Sequence, residues 1–229
     1  MTNISEEELI NFKNFFDNDE DLFLFLNNVD IFKNKLLSYN AKYNLIGDST
    51  INNFYTRHIL DSLQLVSMID LNLENDNNKE NIIDFGSGSG IPGIIVGIYF
   101  NIIKKQNRNF LLIEKSKIKS NFLDHIIKEL NIPFMKVLNS DIYDIRFENI
   151  IKNNTIVISR AFKSIFKTIE IINSIYVLKN YVTKVVFLKG EKLKEELLEL
   201  ENSNLKNLYP NVQIVQSITK IGSVVSFNR

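Results

Sequence analysis

Apolar positions fall into two textures along the 229-residue chain. Up to about residue 70 they recur at helical spacing. Leu9, Phe12, Phe15 and Phe16 follow Ser5, which with Glu8 makes a capping-box pattern, so the chain is predicted to open with a helix. Two more helices, each with an apolar stripe, are predicted over about 21–39 and 52–69. The polar run LENDNNKEN at 73–81 has the composition of a surface connection and divides an N-terminal helical cap, 1–75, from a core, 76–229. In the core, short β-rich runs at 81–85, 109–114, 134–139, 155–159 and 184–190 alternate with helical segments near 91–102, 117–130, 164–179 and 191–202. Strands that are nearly continuous apolar runs, separated by helices, predict a parallel sheet covered on both faces. Two final runs, at 212–220 and 223–227, flank Ile221-Gly222 with no helix between them and predict an antiparallel hairpin.

Hydrophobic residues at 45% and charged residues at 24% suit a soluble globular protein. Lys plus Arg and Asp plus Glu both total 27, so no global field advertises a polyanionic partner, and any basic footprint is local. With no cysteine, the chain has no disulfide, thiolate metal site or cysteine nucleophile, which fits a reducing compartment. Two histidines are too few for a histidine-rich metal site. The start, MTNISEEELI, is acidic where a signal peptide is basic, and the apolar stretch 91–103 is too short and interrupted to span a bilayer. A cytoplasmic monomer with no membrane or metal association is expected.

The stretch IIDFGSGSGIPG, 82–93, reads as a strand, a glycine-rich turn and a helix start. Gly88 to Gly93 satisfies G-x-G-x-x-G, which taken alone suggests a nicotinamide or flavin enzyme. Asp84, the next-to-last residue of the strand, argues otherwise. A pyrophosphate beside a carboxylate costs on the order of several kcal/mol, whereas S-adenosylmethionine has no phosphate and carries a sulfonium and an ammonium. Gly88 and Gly90 would let backbone approach that ligand, and Glu114, ending the next strand, would accept its ribose hydroxyls. Both the cofactor and the terminal hairpin point to an α/β fold of the class I S-adenosylmethionine-dependent methyltransferase type: Rossmann-like, with a mostly parallel seven-stranded sheet ending in an antiparallel hairpin and an N-terminal helical extension.

Segments over most of the chain resemble the RsmG (GidB) family of 16S rRNA methyltransferases: YNAKYNLIGD (39–48), RHILDSL (57–63), DFGSGSGIPG (84–93), LIEKSKIKSNFL (112–123), VISRAF (157–162) and LKG (188–190). The glycine turn alone indicates only a methyltransferase; YNL and RHILDS before it and SRAF after it, in that order, are far more specific. The resemblance implies transfer of a methyl group from S-adenosylmethionine to N7 of a guanine in 16S rRNA, with the small ribosomal subunit as partner. It implies cofactor contacts at Gly86, Ile91, Ile142, Tyr143 and Arg160, and Arg160, ending the fourth strand, is the candidate catalytic residue. Two departures from the family pattern stand out: Asp141 and Tyr143 replace a usual arginine and glutamate, and Ile118 and Lys119 replace a usual Lys-Arg pair.

Guanine N7 is a lone pair without a proton, so its methylation needs no general base, and the chain offers no obvious catalytic dyad. His58 is accordingly read as a packing or hydrogen-bonding residue, His125 as a surface residue, and Arg57 with Asp61 as an i,i+4 pair on one helix face. Tyr39, Tyr43 and Asn44 are read as part of the cap's core in preference to a base-stacking surface. Lysines 104, 105, 115, 117, 119, 163 and 167, with Arg108, flank the sheet, and some of them would line an RNA path. The alternatives are a methyltransferase with another substrate and a non-catalytic ribosome-assembly factor that keeps the cofactor, the latter motivated by Asp141 and Tyr143.

Overall fold

The computed structural model describes residues 4–69, 80–103, 109–219 and 222–229. Helix α1 (Glu6–Lys13) opens with the reciprocal cap: the Ser5 hydroxyl accepts from the Glu8 amide, and the Glu8 carboxylate accepts from the Ser5 amide. Asn18 likewise caps α2 (Asp19–Tyr43) by accepting from the Asp21 amide. Helix α2 outruns its predicted end and stops where Asn44 turns left-handed at φ 48, a conformation that Asn tolerates better than most side chains.

The third predicted helix is of two kinds. Tyr55–Leu60 forms a π-turn that runs straight into α3 (Asp61–Ile69), and the Asp61 amide donates five residues back to the Thr56 carbonyl. Arg57 and Asp61 stay four residues apart across this turn. Among the described residues they form no ion pair, contrary to expectation; Asp61 turns instead to Ser217 and Thr219.

The rest alternates as predicted: β1 (Asn81–Phe85), α4 (Gly93–Ile102), β2 (Phe110–Ile113), α5 (Lys117–Glu129), β3 (Met135–Leu138), β4 (Thr155–Arg160), α6 (Ile165–Ser174), α7 (Tyr176–Tyr181), β5 (Val182–Lys189), α8 (Leu193–Glu201), β6 (Asn211–Gln216) and β7 (Ser223–Asn228). The predicted helix over 164–179 is broken by extended backbone at Ile175. The break has a packing reason. Ile172 and Val177 are both buried in one cluster, yet five residues along an unbroken helix would set them about 140° apart.

The strands form one sheet in the order β3-β2-β1-β4-β5-β7-β6, parallel except at β7, which runs antiparallel to both neighbours. Pairing of Phe85 with Ile113, Ile113 with Leu138, and Asp84 with Ile158 brings the carboxyl ends of four strands to one edge. Helices α2 to α5 cover one face and α6 to α8 the other, each over its own apolar cluster.

The first cluster joins the N-terminal helices to the sheet domain without a gap. Phe122 of α5, fully buried, packs its ring against Phe32 and Tyr39 of α2, with centroids at 6.3 and 5.1 Å, and Phe16 meets Tyr99 of α4 at 5.4 Å. The Lys184 ammonium donates to the Met68 carbonyl at 3.0 Å and ties α3 to β5. The predicted domain boundary, between residues 75 and 76, lies outside the described residues.

Because Phe122 couples the two parts, Phe122→Ala should cost about 3–5 kcal/mol in urea unfolding. Far-ultraviolet circular dichroism and tyrosine fluorescence should then give one coincident transition. Two separate transitions in either signal would show that the cap and core are energetically separate.

Candidate functional site

The edge where β1, β2, β3 and β4 end is built mainly from backbone. Gly86, Gly88 and Gly90 all have positive φ, at 68, 56 and 86. At Gly86 a Cβ would come within 2.5 Å of the Phe162 ring, so the glycine is needed both for its conformation and for the close approach. Within this turn, the Ser87 amide donates to the Ile113 carbonyl, the Gly90 amide to the Ser87 carbonyl, and the Gly93 amide to Asp84 Oδ2. Glu114 closes the set: its Oε2 accepts from the Gly88 amide at 2.8 Å and its Oε1 from the Ser116 amide at 2.7 Å. A glycine turn that binds pyrophosphate does so with free amides. Here most of those amides are already bonded, two of them to carboxylates.

Asp84 and Gly90, both expected at the cofactor, do not reach the cavities described below. Asp84 is 1% exposed and lies beneath the start of α4 at Gly93. Its strand parity explains this: Ile82 faces the cluster under α4, while Ile83 and Phe85 face the opposite one, so Asp84 must point towards α4. Burial pushes its carboxyl up to about 7, against hydrogen bonds from Ser87 and Gly93 that lower it, and Oδ1 has no partner. The acid shapes the turn from behind. Gly90 in turn makes room for Ile94 and Leu123, whose side chains a Cβ would strike.

Three cavities meet at this edge. One, of about 290 Å³, is lined by Gly86, Glu114, Lys119, Ile142, Tyr143 and Phe162, among others. The second, of about 350 Å³, is lined by Gly86, Gly88, Ser89, Ile91, Glu114 and Arg160 on the sheet side and by Leu45, Ile46, Gly47, Thr50 and His58 from the cap. Glu114 and Gly86 belong to both, so they stand at the junction of one elongated site. A third cavity, of about 440 Å³, continues past Arg160 and Ala161 and is lined by Arg57, Asp61, Lys163, Lys189, Lys192 and Glu196, among others. Ala161, at a positive φ of 54, lines all three. Seven predicted site residues, namely Gly86, Gly88, Ile91, Glu114, Ile142, Tyr143 and Arg160, are thus brought together.

The departures from the family pattern are absorbed by backbone. Asp141 Oδ1 accepts from the Tyr143 amide at 3.3 Å and caps the short 3₁₀ turn Ile142–Asp144, which presents Ile142 and Tyr143 to the first cavity. Lys119, one of the departing positions, lines both of the first two cavities.

Arg160 ends β4 with Nη1 buried and unpartnered. Its pKa is lowered chiefly by burial, with Asp61 acting against this and Arg57 with it. Burial, Arg160 and Arg57 together hold His58 down to about 3, so the imidazole is neutral. His58 Nε2 lies 2.9 Å from Thr50 Oγ1, and the ring packs edge-on against Phe54, as a packing and hydrogen-bonding histidine should. It also walls the second cavity, a position that sequence reasoning missed.

The loop after α2 was missed as well. Asn44 caps the helix, and Asn40 Oδ1 accepts from the Ile46 amide at 2.8 Å, which aims Leu45 to Gly47 at the site. The YNL motif is the signal that could have located this wall. Tyr39 packs on Phe122 and lies 3.3 Å from the exposed His125, while Tyr43 remains partly exposed. Lys104, Lys105 and Arg108 fall outside the described residues. Among those residues no group of three or more His, Asp or Glu could hold a metal, and no helix is long and apolar enough to cross a membrane.

A family model described as GidB, rRNA small subunit methyltransferase G, matches residues 26–224. Ribosomal RNA small subunit methyltransferase G of Rickettsia massiliae is 33% identical over 75% of this chain and 77% of that protein. The protein of the same name from Mycoplasma capricolum is 32% identical over 86% of this chain and 77% of its own. Solved structures are similar in fold at low identity. The METTL16 MTase domain superposes with a TM-score of 0.55 at 16% identity, covering 74% of this chain and 67% of that one. For the human methyltransferase 10 domain containing protein the values are 0.53, 14%, 74% and 82%. These place the α/β architecture among methyltransferases.

The buried Asp84 gives the site a pH signature. The folded chain holds that proton up to about 7, while an unfolded aspartate releases it near 3.8, so folding loses free energy as pH rises between those values. His58, held near 3, acts in the opposite sense towards 6.5. His58 is common to wild type and Asp84→Asn, so subtracting their melting temperatures isolates Asp84. The variant should gain several degrees on wild type from pH 4 to pH 7 and hold that gain above; parallel curves would contradict the assignment.

Proposed function

The chain belongs to the ribosomal RNA small subunit methyltransferase G family, and on that premise we propose that it transfers the methyl group of S-adenosylmethionine to N7 of a guanine in 16S rRNA. The observation that carries the reading is the position of Arg160. A half-buried guanidinium whose Nη1 is unpartnered stands in the wall between a glycine-cradled cavity and a basic one, where it can orient an incoming base.

The residues present fit that cofactor. Gly86 and Gly88 leave backbone bare at the cavity, and the Glu114 carboxylate, with two of its roughly four acceptor positions used, has capacity left for ribose hydroxyls. Gly86, Glu114, Ile142 and Tyr143 would hold the nucleoside half, and Gly88, Ser89, Ile91 and the cap loop the amino-acid half. When bound, the cofactor supplies an electrophilic methyl group on a sulfonium.

What the chain must do is align. N7 has no proton to lose, so a neutral His58 is no handicap, and a charged base beside the site would serve nothing. Holding two reactants in line can supply roughly 7–11 kcal/mol of a barrier. Arg160 contributes by donating to O6, the oxygen next to N7, which leaves the N7 lone pair free. Arg57, Lys163 and Lys192, which line the outer cavity, hold backbone phosphates.

Small-subunit particles from a strain lacking the gene, incubated with the full chain and labelled cofactor, should acquire label at one guanine whose N7 is methylated, read by chemical cleavage at that base. Label elsewhere in the RNA, or none, would overturn the reading. Arg160→Lys keeps the charge but loses the planar fork, and kcat/KM for particles should drop about 10- to 100-fold. An unchanged rate would remove Arg160 from the reaction.

A further inference from the structure

The outer cavity contains a carboxylate that the methyl transfer itself does not require. Asp61 sits at the start of α3, half-buried, in the wall of the 440 Å³ cavity. Its Oδ1 is saturated: the hydroxyls of Ser217 and Thr219 and the Gln64 amide donate to it, the last two at 3.2 and 3.3 Å. No described residue donates to Oδ2. Gln64 also accepts from the Ile218 amide at 2.9 Å, so the segment before β7 is pinned to α3 around this acid. Rigid support on one oxygen and none on the other is the arrangement of a carboxylate held ready for a ligand.

We propose that Asp61 and Arg160 together read the Watson–Crick edge of the target guanine, Asp61 Oδ2 accepting from N1–H and the N2 amino group while Arg160 donates to O6. This deepens the function proposed above and rests on it. The order of atoms along the base matches the order of the walls. N7 and O6 are neighbours, and Arg160 lines both the cofactor-side cavity and the outer one; N1 and N2 lie further round, and Asp61 lines only the outer one. Adenine offers a donor at C6 and an acceptor at N1, so it would set donor against donor at Arg160 and acceptor against acceptor at Asp61. The acid also favours the reaction. Methylation at N7 makes the purine cationic and its N1–H more acidic, so the hydrogen bond to a carboxylate strengthens as the transfer proceeds.

The test exploits inosine, which keeps N7, O6 and N1–H and lacks only the N2 amino group. Small-subunit particles are reconstituted with 16S rRNA ligated to carry guanosine or inosine at the position first mapped as methylated. For the wild-type chain, kcat/KM should fall about 10-fold or more on inosine, the scale of a lost hydrogen bond to a charged group. Asp61→Asn, which keeps the shape, should be slow on guanosine and nearly indifferent to the exchange, while its affinity for S-adenosylhomocysteine stays that of wild type. Wild type that ignores the exchange overturns the proposal without any variant. Asp61→Asn that retains the full inosine penalty also overturns it, since a merely structural acid would slow both substrates alike. If the guanosine particle itself takes no methyl from the wild-type chain, the function proposed above falls, and the base reading falls with it.

Discussion

The site depends on one carboxylate shared between two turns. Glu114 leaves the end of β2, accepts the Gly88 amide of the neighbouring turn on one oxygen and the Ser116 amide of its own on the other, and so locks the ends of β1 and β2 together. Each bond is charge-assisted and nearly buried, which makes it among the stronger classes of protein hydrogen bond. The same carboxylate lines both cavities in which the proposed cofactor would lie. An anion at the glycine amides repels phosphate and accepts hydroxyls.

From that clamp the remaining walls follow in order. Phe162 packs against the bare face of Gly86, and Ala161 takes a left-handed conformation that sends the chain away from β4 between the cavities. The cap supplies the opposite wall through Asn40, Asn44 and Thr50, and its attachment to α5 through Phe122 keeps that wall in place. Arg57, His58 and Asp61 come from the π-turn and its continuation: His58 lines the second cavity, Arg57 and Asp61 the outer one.

Much of this was legible because the signals are local. Alternating apolar runs and helices predict a parallel sheet covered on both faces, Ile221-Gly222 predicts the hairpin, and the spacing of Gly86, Gly88 and Gly90 predicts the turn. What escaped depends on the third dimension. All five residues of β1 are buried, so the run carries no polar face to tell which way Asp84 points, and its role passed to Glu114. The π-turn leaves no mark in an apolar stripe, and the break at Ile175 answers to the sheet beneath. Leu45, Ile46, Gly47 and Thr50 are distant in sequence from the glycine turn across the cavity, and motif likeness alone hinted at them.

The central claim is that the Glu114 clamp makes this a site for an unphosphorylated, hydroxyl-bearing nucleoside. Calorimetric titration of the wild-type chain and of Glu114→Gln with S-adenosylhomocysteine and with NADH tests it directly. The account predicts saturable binding of S-adenosylhomocysteine by wild type, affinity lowered about 10-fold or more in the variant, and no heat from NADH with either. Saturation by NADH, or an unaltered affinity for S-adenosylhomocysteine in Glu114→Gln, would contradict it.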